Sequence, residues 1–382
     1  MDKKGDRIMR IVFWQNCISP HQMPFITRLA DDPRVDEVVV VAEVDVPPGR
    51  RQMGWDSLYD ANNRSCRIYL HPGDDDIRRL LDQRAAESWH IFMGIRAFGY
   101  VFHCLQLSMD YPVRRAMMSE RPNTYALGLA NGKPLWLHRL RFMLRDRRYA
   151  GHIERVFAIG AMAADYFGSV SKHWQVSRFA YCTETPVIAT PPPHDHRLRL
   201  LFAGSLEWYK APLTLLKSLR ITRDGDAAVA FHLDIIGNGS QRRTLQQFIA
   251  THCLANRIDM VGTVAHNRMA EWMGRSDMLV LPSVYDGWGA VVNEALLAGS
   301  YVIVSDACGA ADLLGDSRLG MVFHAGDAKG LARIIADCHN RLDSIRADRQ
   351  WRRQWAIEHI SGPRIARYFI DCLCGDDIEP LY

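Results

Sequence analysis

Apolar runs of strand length alternate with helical patterns along most of this chain, and this alternation limits the folds open to it. The runs "IMRIVFW" (8–14) and "DEVVVVAEV" (36–44) are predicted strands, the second one buried because its valines are continuous. Between them, residues 19–30 are predicted to form a loop and a helix, with Ser19 as N-cap and Pro20 at the first helical position. Strands joined by helices in this way predict a parallel, doubly wound α/β sheet.

The same alternation starts again after a proline-rich stretch at 186–197, which is predicted to be an interdomain linker. We therefore predict two Rossmann-like domains that face each other across a cleft. Their predicted boundaries are 1–190 and 191–360, and a C-terminal helix at 361–382 returns to the N-terminal domain. Ligands of open α/β sheets bind at the carboxyl ends of the strands, so two such crevices could hold two substrates.

Composition excludes several classes of protein. The 382 residues suffice for two full cores, and a net charge of +4 is too small to imply nucleic acid as a partner. The nine cysteines are scattered without a C-x-x-C pair, so we expect reduced thiols in a cytoplasmic protein, without a zinc site or a disulfide framework. The only apolar run near the start has four residues, too few for a signal peptide, and no window approaches a membrane span.

The stretch "DGWGAVVNEALLAG" (286–299) carries two acids around two glycines. Asp286 follows the predicted strand "DMLVLPS", and a helix is predicted from about residue 288 to Ala298, with Gly299 as its C-cap. The free N–H groups at the start of such a helix attract phosphate, and Glu294 lies near its first turn. In an alternative interpretation, Asp286 caps the loop and Glu294 complements the helix dipole.

Two further strand ends in the same half carry glycines. One predicted strand ends in Gly204-Ser205, with Lys210 at the head of the next helix, and another ends in Gly237-Asn238. Three glycine-bearing, amide-rich loops with one lysine predict a pocket for a diphosphate, with a sugar or nucleoside at either side.

With these motifs the chain resembles the retaining glycosyltransferases of family 4 (glycosyl transferases group 1), which are two-domain GT-B enzymes that use nucleotide-sugar donors. The signature of that family, E-G-[FW]-G-x-V-x-x-E-A, matches throughout except that Asp286 replaces the first Glu. Lys210 is kept, Ser205 stands where an Arg is common, and "GNGS" matches the glycine turn of the family. The resemblance covers about 198–327 and extends to the N-terminal half by architecture only.

The resemblance implies a division of the donor among these residues. Glu294 would hold the ribose and Asp286 the hydroxyls of the transferred sugar, while Lys210 and the 287–291 amides would meet the diphosphate. The base would lie near Val261 and Val264. The implied catalytic residues are Asp286, Lys210 and Glu120, and the implied donor-binding residues are Gly204, Ser205, Lys210, Gly237, Asn238, Val264, Asp286, Gly287, Trp288, Gly289, Ala290, Val291 and Glu294. The donor is a substrate, and the resemblance implies neither a metal nor another cofactor.

Two residues of the N-terminal half are candidates for the acceptor side. Glu120 in "RRAMMSERPN" occupies the place where the family often has a histidine, and His21 opens the first predicted helix. A surface glutamate and a capping histidine are the alternatives. For His90, a core position is favoured over a place in the cleft.

Residues 133–155 carry seven Lys/Arg against two acids. On a helical wheel, Trp136, Leu140, Met143 and Leu144 share one face, which Arg141, Arg145 and Arg148 flank. This pattern is typical of an interfacial helix attracted to anionic lipid, and equally of a helix with a solvated basic rim.

We therefore expect a retaining glycosyltransferase that moves a sugar from a nucleotide-sugar to a saccharide or lipid-linked acceptor, in bacterial surface polysaccharide, lipopolysaccharide or glycolipid assembly. It would be cytoplasmic or peripheral on the inner face of the membrane, with no nucleic acid as partner. One alternative is a GT-B sugar-nucleotide epimerase or phosphorylase, although no compelling pyridoxal-phosphate lysine is evident. Another is a nucleic-acid or lipid-surface binding protein with a degenerate cleft, marked by salt-sensitive RNA binding.

Overall fold

A computed structural model describes residues 8–60, 62–122, 135–188, 195–225, 229–376 and 378–382, apart from the side chains at 135, 138 and 141. Its contacts divide the chain into two units. The first comprises Met1–Pro47, Ser57–Cys182 and Gly362–Leu381, and the second comprises Pro48–Asp56, Thr183–Ser361 and Tyr382. Much of the predicted linker, at 189–194, lies outside the described residues.

Each unit contains one parallel sheet. The strands are β1 Met9–Cys17, β2 Val35–Val44, β3 Arg67–Leu70, β4 Ser88–Met93, β5 Arg114–Ser119, β6 Arg155–Ile159 and β7 Gln175–Phe179 in the first unit, and β8 Leu198–Ala203, β9 Phe231–Ile236, β10 Ile258–Gly262, β11 Met278–Leu281, β12 Tyr301–Ser305 and β13 Gly320–Phe323 in the second. The strand orders are β3-β2-β1-β4-β5-β6-β7 and β10-β9-β8-β11-β12-β13. Among the described residues every ladder is parallel, so the predicted doubly wound architecture is confirmed.

Helices join the strands. They are α1 Met23–Ile26, α2 Pro48–Arg51, α3 Asp74–Asp82, α4 Gly99–Ser108, α5 Leu135–Arg145, α6 Arg147–Ala150, α7 Ala161–Val170, α8 Pro212–Asp224, α9 Arg242–Thr251, α10 Met269–Arg275, α11 Val291–Leu297, α12 Ala328–Asn340, α13 Leu342–Ala347, α14 Arg349–Ile360 and α15 Gly362–Cys374. Of the helices in the described part of the chain, none is both long enough and apolar enough to cross a bilayer.

The order of the strands reverses once in each sheet. In the first unit β1 lies between β2 and β4, and in the second β8 lies between β9 and β11. At such a switch point the connections on either side leave toward opposite faces, which opens a crevice at the carboxyl ends of the two strands. The loops after β8 and β11 therefore flank the crevice of the second unit.

Burial on both faces explains the valine run of β2. Val38, Val39, Val40 and Val41 are each at most 3% exposed, although successive side chains point to opposite faces. A strand with helices on both sides must be apolar at every position, so its sequence shows no alternation.

The first predicted helix is shorter than expected. Helix α1 begins after Gln22, and Pro24 rather than Pro20 lies in its first turn. Ser19 caps the turn before the helix, since its carbonyl accepts from the amide of Met23 at 2.9 Å and its Oγ accepts from the amide of His21 at 3.2 Å, as in an N-cap. These bonds close a turn before the helix starts.

One segment from the N-terminal part of the sequence belongs to the second unit. Residues 48–56 lie within the predicted N-terminal domain, yet the Gly54 carbonyl accepts a hydrogen bond from the amide of His266 at 2.8 Å. A Cβ atom at Gly54 would lie 2.2 Å from the Val264 carbonyl oxygen, so only glycine permits this approach.

Candidate active site at the carboxyl edge of the second sheet

Lys210 and Asp286 meet at the switch point of the second sheet. Lys210 ends a single 3₁₀ turn after β8, and Asp286 follows β11. The Lys210 Nζ donates to Asp286 Oδ2 at 2.5 Å. The amide of Val284 donates to the Tyr209 carbonyl at 2.8 Å, which fastens the two loops together next to this ion pair. The strand order thus joins residues that are 76 positions apart in sequence.

The pair lies largely out of solvent, with 18% of the Lys210 side chain and 12% of the Asp286 side chain exposed. Burial lowers the pKa of Lys210, but the charge and hydrogen bond of Asp286 outweigh it, so the pKa of Lys210 is raised. Lys210 is therefore a fixed cation. Its ammonium has three N–H donors, and Asp286 accepts from one of them, so the others can meet an anionic ligand.

Cys308 supports the loop that carries Asp286. The amide of Gly309 donates to the Asp286 carbonyl at 3.2 Å, and the Cys308 Sγ donates to the Trp288 carbonyl at 2.9 Å. Gly289 has φ +93°, and a Cβ there would lie 2.8 Å from the Cys308 Sγ. Gly289 is thus required for packing. Burial raises the pKa of the Cys308 thiol, which keeps it neutral.

Helix α11 starts directly after this loop and ends, as predicted, before Gly299, which has φ +80°. None of the hydrogen bonds among the described residues uses the amides of 288–291 as donors; residues 288–290 precede the helix, and Val291 is its first residue. The Trp288 side chain is committed to the core, since it is 1% exposed and its indole N–H donates to Asn293 Oδ1 at 2.7 Å. The Trp288 side chain is therefore not available to a ligand.

Glu294 faces His266 from the first turn of α11. The Glu294 Oε1 lies 3.9 Å from the His266 Nδ1. Burial raises the pKa of Glu294 to about 7, and burial also lowers the pKa of His266. Near neutral pH, Glu294 is therefore divided between its acid and carboxylate forms while His266 is mainly neutral.

This raised pKa predicts a pH-dependent stability. Between its ordinary pKa of 4.5 and about 7, Glu294 holds its proton in the folded chain and loses it in the unfolded chain. Stability is therefore full below pH 4.5 and is lost as the pH rises through 7, by about 3 kcal/mol. Glu294→Gln should remove this loss. The free energy of unfolding of the mutant relative to wild type, measured with urea, should therefore be higher at pH 8 than at pH 5.

The matched control is Glu271→Gln, because Glu271 is 61% exposed in the same unit. The change in the unfolding free energy of Glu271→Gln between the two pH values should equal that of wild type. A Glu294→Gln curve parallel to wild type between pH 5 and pH 8 would contradict the buried, protonated Glu294.

The loop at Gly237-Asn238, the third glycine-bearing loop, mainly packs against the neighbouring loops of the sheet. A Cβ at Gly237 would lie 1.9 Å from the Gly204 carbonyl oxygen, and the Gly237 amide donates to the Gly262 carbonyl at 2.8 Å. The Glu207 carboxylate accepts from the Ser240 amide at 2.9 Å and from its Oγ at 2.6 Å. Its glycines therefore allow backbones to approach one another, and Gly237 and Ser240 already use their amides.

Four residues that the sequence did not single out shape the site. Tyr209 places its hydroxyl 3.3 Å from the Ser205 Oγ, where the resembled family commonly has an arginine. Glu207 holds the loop at Ser240, and Cys308 supports the loop that carries Asp286. His266 faces Glu294. The only sequence signal for them was their position inside or next to the quoted motifs.

In the first unit, His21 and Glu120 both lie at the carboxyl edge of the sheet. His21 follows β1, and its carbonyl accepts from the amide of Cys182 at 3.1 Å. Glu120 follows β5 and is half-buried. Strand β4 lies between them. His90 belongs to the core, fully buried and accepting at Nδ1 from the Trp14 indole at 3.0 Å.

Part of the chain is similar in sequence to known proteins. Residues 187–346 match the family model of the glycosyl transferases group 1. A D-inositol 3-phosphate glycosyltransferase of Pseudarthrobacter chlorophenolicus is 27% identical over 176 residues, 43% of this chain and 42% of that protein. A 2-deoxystreptamine glucosyltransferase of Streptomyces kanamyceticus is 28% identical over 148 residues, 37% of this chain and 38% of that protein. The match thus spans about two fifths of the length of these relatives.

The likeness in structure extends over nearly the whole chain. The Anabaena protein Alr3699/HepE, solved in complex with UDP, superposes with a TM-score of 0.67 at 14% identity, covering 96% of this chain and 100% of that protein. The architecture is therefore the two-unit GT-B fold. Together with the family match, it supports a GT-B glycosyltransferase.

Proposed function

We propose that this protein is a retaining glycosyltransferase of family 4 that transfers a sugar from a nucleoside-diphosphate sugar. The observation that carries the proposal is the largely buried Lys210–Asp286 pair at the switch point of the second sheet, with Asp286 in the same loop as the amides of 288–291, which donate no hydrogen bond among the described residues. It lies within the segment that matches the glycosyl transferases group 1. A cation, free amides and a carboxylate in one crevice suit a charged donor that carries a sugar.

In this proposal the residues share the donor. As the bond to the sugar breaks, negative charge develops on the leaving diphosphate, and Lys210 and the amides of 288–291 stabilise it. Asp286, held against Lys210, accepts hydrogen bonds from the transferred sugar. Glu294 accepts from the ribose hydroxyls. The proposed reaction includes no metal or other cofactor, because lysine and amides supply the positive charge.

A thermal-shift panel of UDP-, GDP-, dTDP- and ADP-sugars tests the proposal. A ligand that binds only the folded chain raises the melting temperature, by more the tighter it binds. UDP-sugars come first, since the structural neighbour was solved with UDP and with UDP and glucose. One nucleotide class should stabilise the chain and be hydrolysed or transferred with retention at the anomeric carbon. No shift with any donor would reject the proposal.

An exposed apolar helix supports a lipid-linked acceptor at an anionic membrane. In α5, Trp136 is 64% exposed and Leu144 is 78% exposed. Large apolar side chains rarely cluster in solvent without a partner. Arg145 and Arg148 are exposed nearby, so the surface combines apolar and basic groups, which suits anionic lipid headgroups. Arg141 was also predicted to flank this face, but its side chain lies outside the described residues.

Replacing Arg141, Arg145 and Arg148 by Gln should abolish sedimentation with anionic vesicles and leave hydrolysis of the free donor intact. Each basic residue near an anionic surface contributes about 1 kcal/mol, so three should change binding by roughly 100-fold. Sedimentation with phosphatidylserine-containing vesicles at low salt measures this.

A charge-matched control replaces three other exposed arginines of the first unit, Arg67, Arg78 and Arg79. This control should sediment like wild type, whereas Trp136→Ser with Leu144→Ser should not sediment. Equal sedimentation of all variants would contradict membrane binding by this helix and favour the alternative, a helix with a solvated basic rim.

A further inference from the structure

We infer a zinc-class divalent cation site on the outer strands of the second sheet, formed by His232, Asp234 and Asp259. His232 and Asp234 are two residues apart on β9, so their side chains point to the same face. Asp259 on β10 is paired in register with Asp234. The ligand atoms of the three side chains all lie within 4.8 Å of one another.

The distances fit tetrahedral coordination. The His232 Nε2 lies 3.4 Å from the Asp234 Oδ1 and 3.4 Å from the Asp259 Oδ2. A tetrahedral zinc ion with bonds of about 2.1 Å separates its ligand atoms by about 3.4 Å. One imidazole nitrogen and two carboxylate oxygens, with a water in the fourth position, are a ligand set that Zn²⁺ accepts.

The charges call for a cation. Two carboxylates in register on neighbouring strands repel each other. Among the described residues, no lysine or arginine lies within ion-pair distance of Asp234 or Asp259. Arg199, in register with His232, instead donates through its Nη2 to Asp195 at 2.8 Å. A bound divalent ion would neutralise the two carboxylates and tie β9 to the outer strand β10.

The site is accessible and separate from the donor loops. Asp259 is 66% exposed, while His232 and Asp234 are 21% and 17% exposed, so an ion can enter from solvent onto partly buried ligands. Asp234 lies three residues before Gly237, about 10 Å along the strand. The cysteine pattern predicted no zinc site, and this one uses no cysteine. The inference is independent of the proposed transfer reaction.

Equilibrium dialysis of the full chain against zinc chloride, with bound zinc measured by atomic absorption, tests the site. Wild type should bind one zinc ion per chain at this site. Asp234→Asn and Asp259→Asn keep the side-chain shape and should each weaken binding at least about tenfold, as should His232→Ala. Excess magnesium chloride should not displace the zinc, because Mg²⁺ prefers oxygen ligands. Circular dichroism melts verify that each variant is folded.

His324→Ala is the matched control, since His324 forms an exposed pair with Asp306 at 2.8 Å in the same unit. This variant should keep the full zinc affinity. Zinc binding that is absent from wild type, or that persists unchanged in folded Asp234→Asn and Asp259→Asn, would overturn the inference.

Discussion

Lys210→Ala is expected to slow turnover of the donor by roughly 10²–10³-fold, the loss typical when one stabiliser of the developing charge is removed. Lys210 is the cation that the structure places at the switch point, and Ser205 with the Tyr209 hydroxyl occupies the place of the arginine common in the resembled family. Among the described residues, no arginine forms an ion pair with Asp286 beside the Lys210 ammonium. Steady-state kinetics with the donor identified by thermal shift measure the loss.

The control for this mutant is Lys217→Ala, because Lys217 is an exposed lysine on α8, which begins directly after the Lys210 loop. It changes the net charge equally and should leave turnover unchanged. Lys210→Arg keeps the positive charge and should recover part of the activity. Unchanged kinetics in Lys210→Ala would remove this residue from the site.

Much of the fold follows from the sequence because buried parallel strands are apolar throughout. Strand β2 is predicted within one residue at its start, since its valine run admits no exposed face. Strand β3 is not predicted, because its four residues "RIYL" are exposed or half-buried at an edge of the sheet and show no pattern. Edge strands carry fewer core contacts, so their sequences are less constrained.

The candidate site is predicted only in part, because its geometry depends on strand order and register. Helical and strand periodicity identify the loops that carry Lys210 and Asp286 but do not say that β8 and β11 are neighbours. The role of Glu207 likewise depends on the approach of the loop at Ser240. The cluster around His232 appears only once Asp234 and Asp259 are in register, 25 positions apart in the numbering.

Asp286→Asn and Glu294→Gln should differ in kind. Glu294 belongs to α11 and faces His266, and its proposed contact is with the ribose. A hydrogen bond to a charged group contributes about 1.5–3 kcal/mol, so Glu294→Gln should weaken the bare nucleoside diphosphate and the intact donor alike, by roughly 10–100-fold. Because burial raises the pKa of Glu294 to about 7, the difference from wild type should be larger at pH 8 than at pH 6.

Asp286→Asn should instead lower kcat and leave the affinity for the bare diphosphate no weaker than in wild type. The mutation removes the carboxylate that Lys210 now faces, so the ammonium stays free for the diphosphate, while the contact with the transferred sugar is lost as that sugar becomes cationic. Isothermal titration with the bare diphosphate, beside steady-state kinetics with the donor, separates the two outcomes. If Asp286→Asn loses diphosphate affinity as severely as Glu294→Gln, the two carboxylates do not divide the donor, and both act on its nucleotide half.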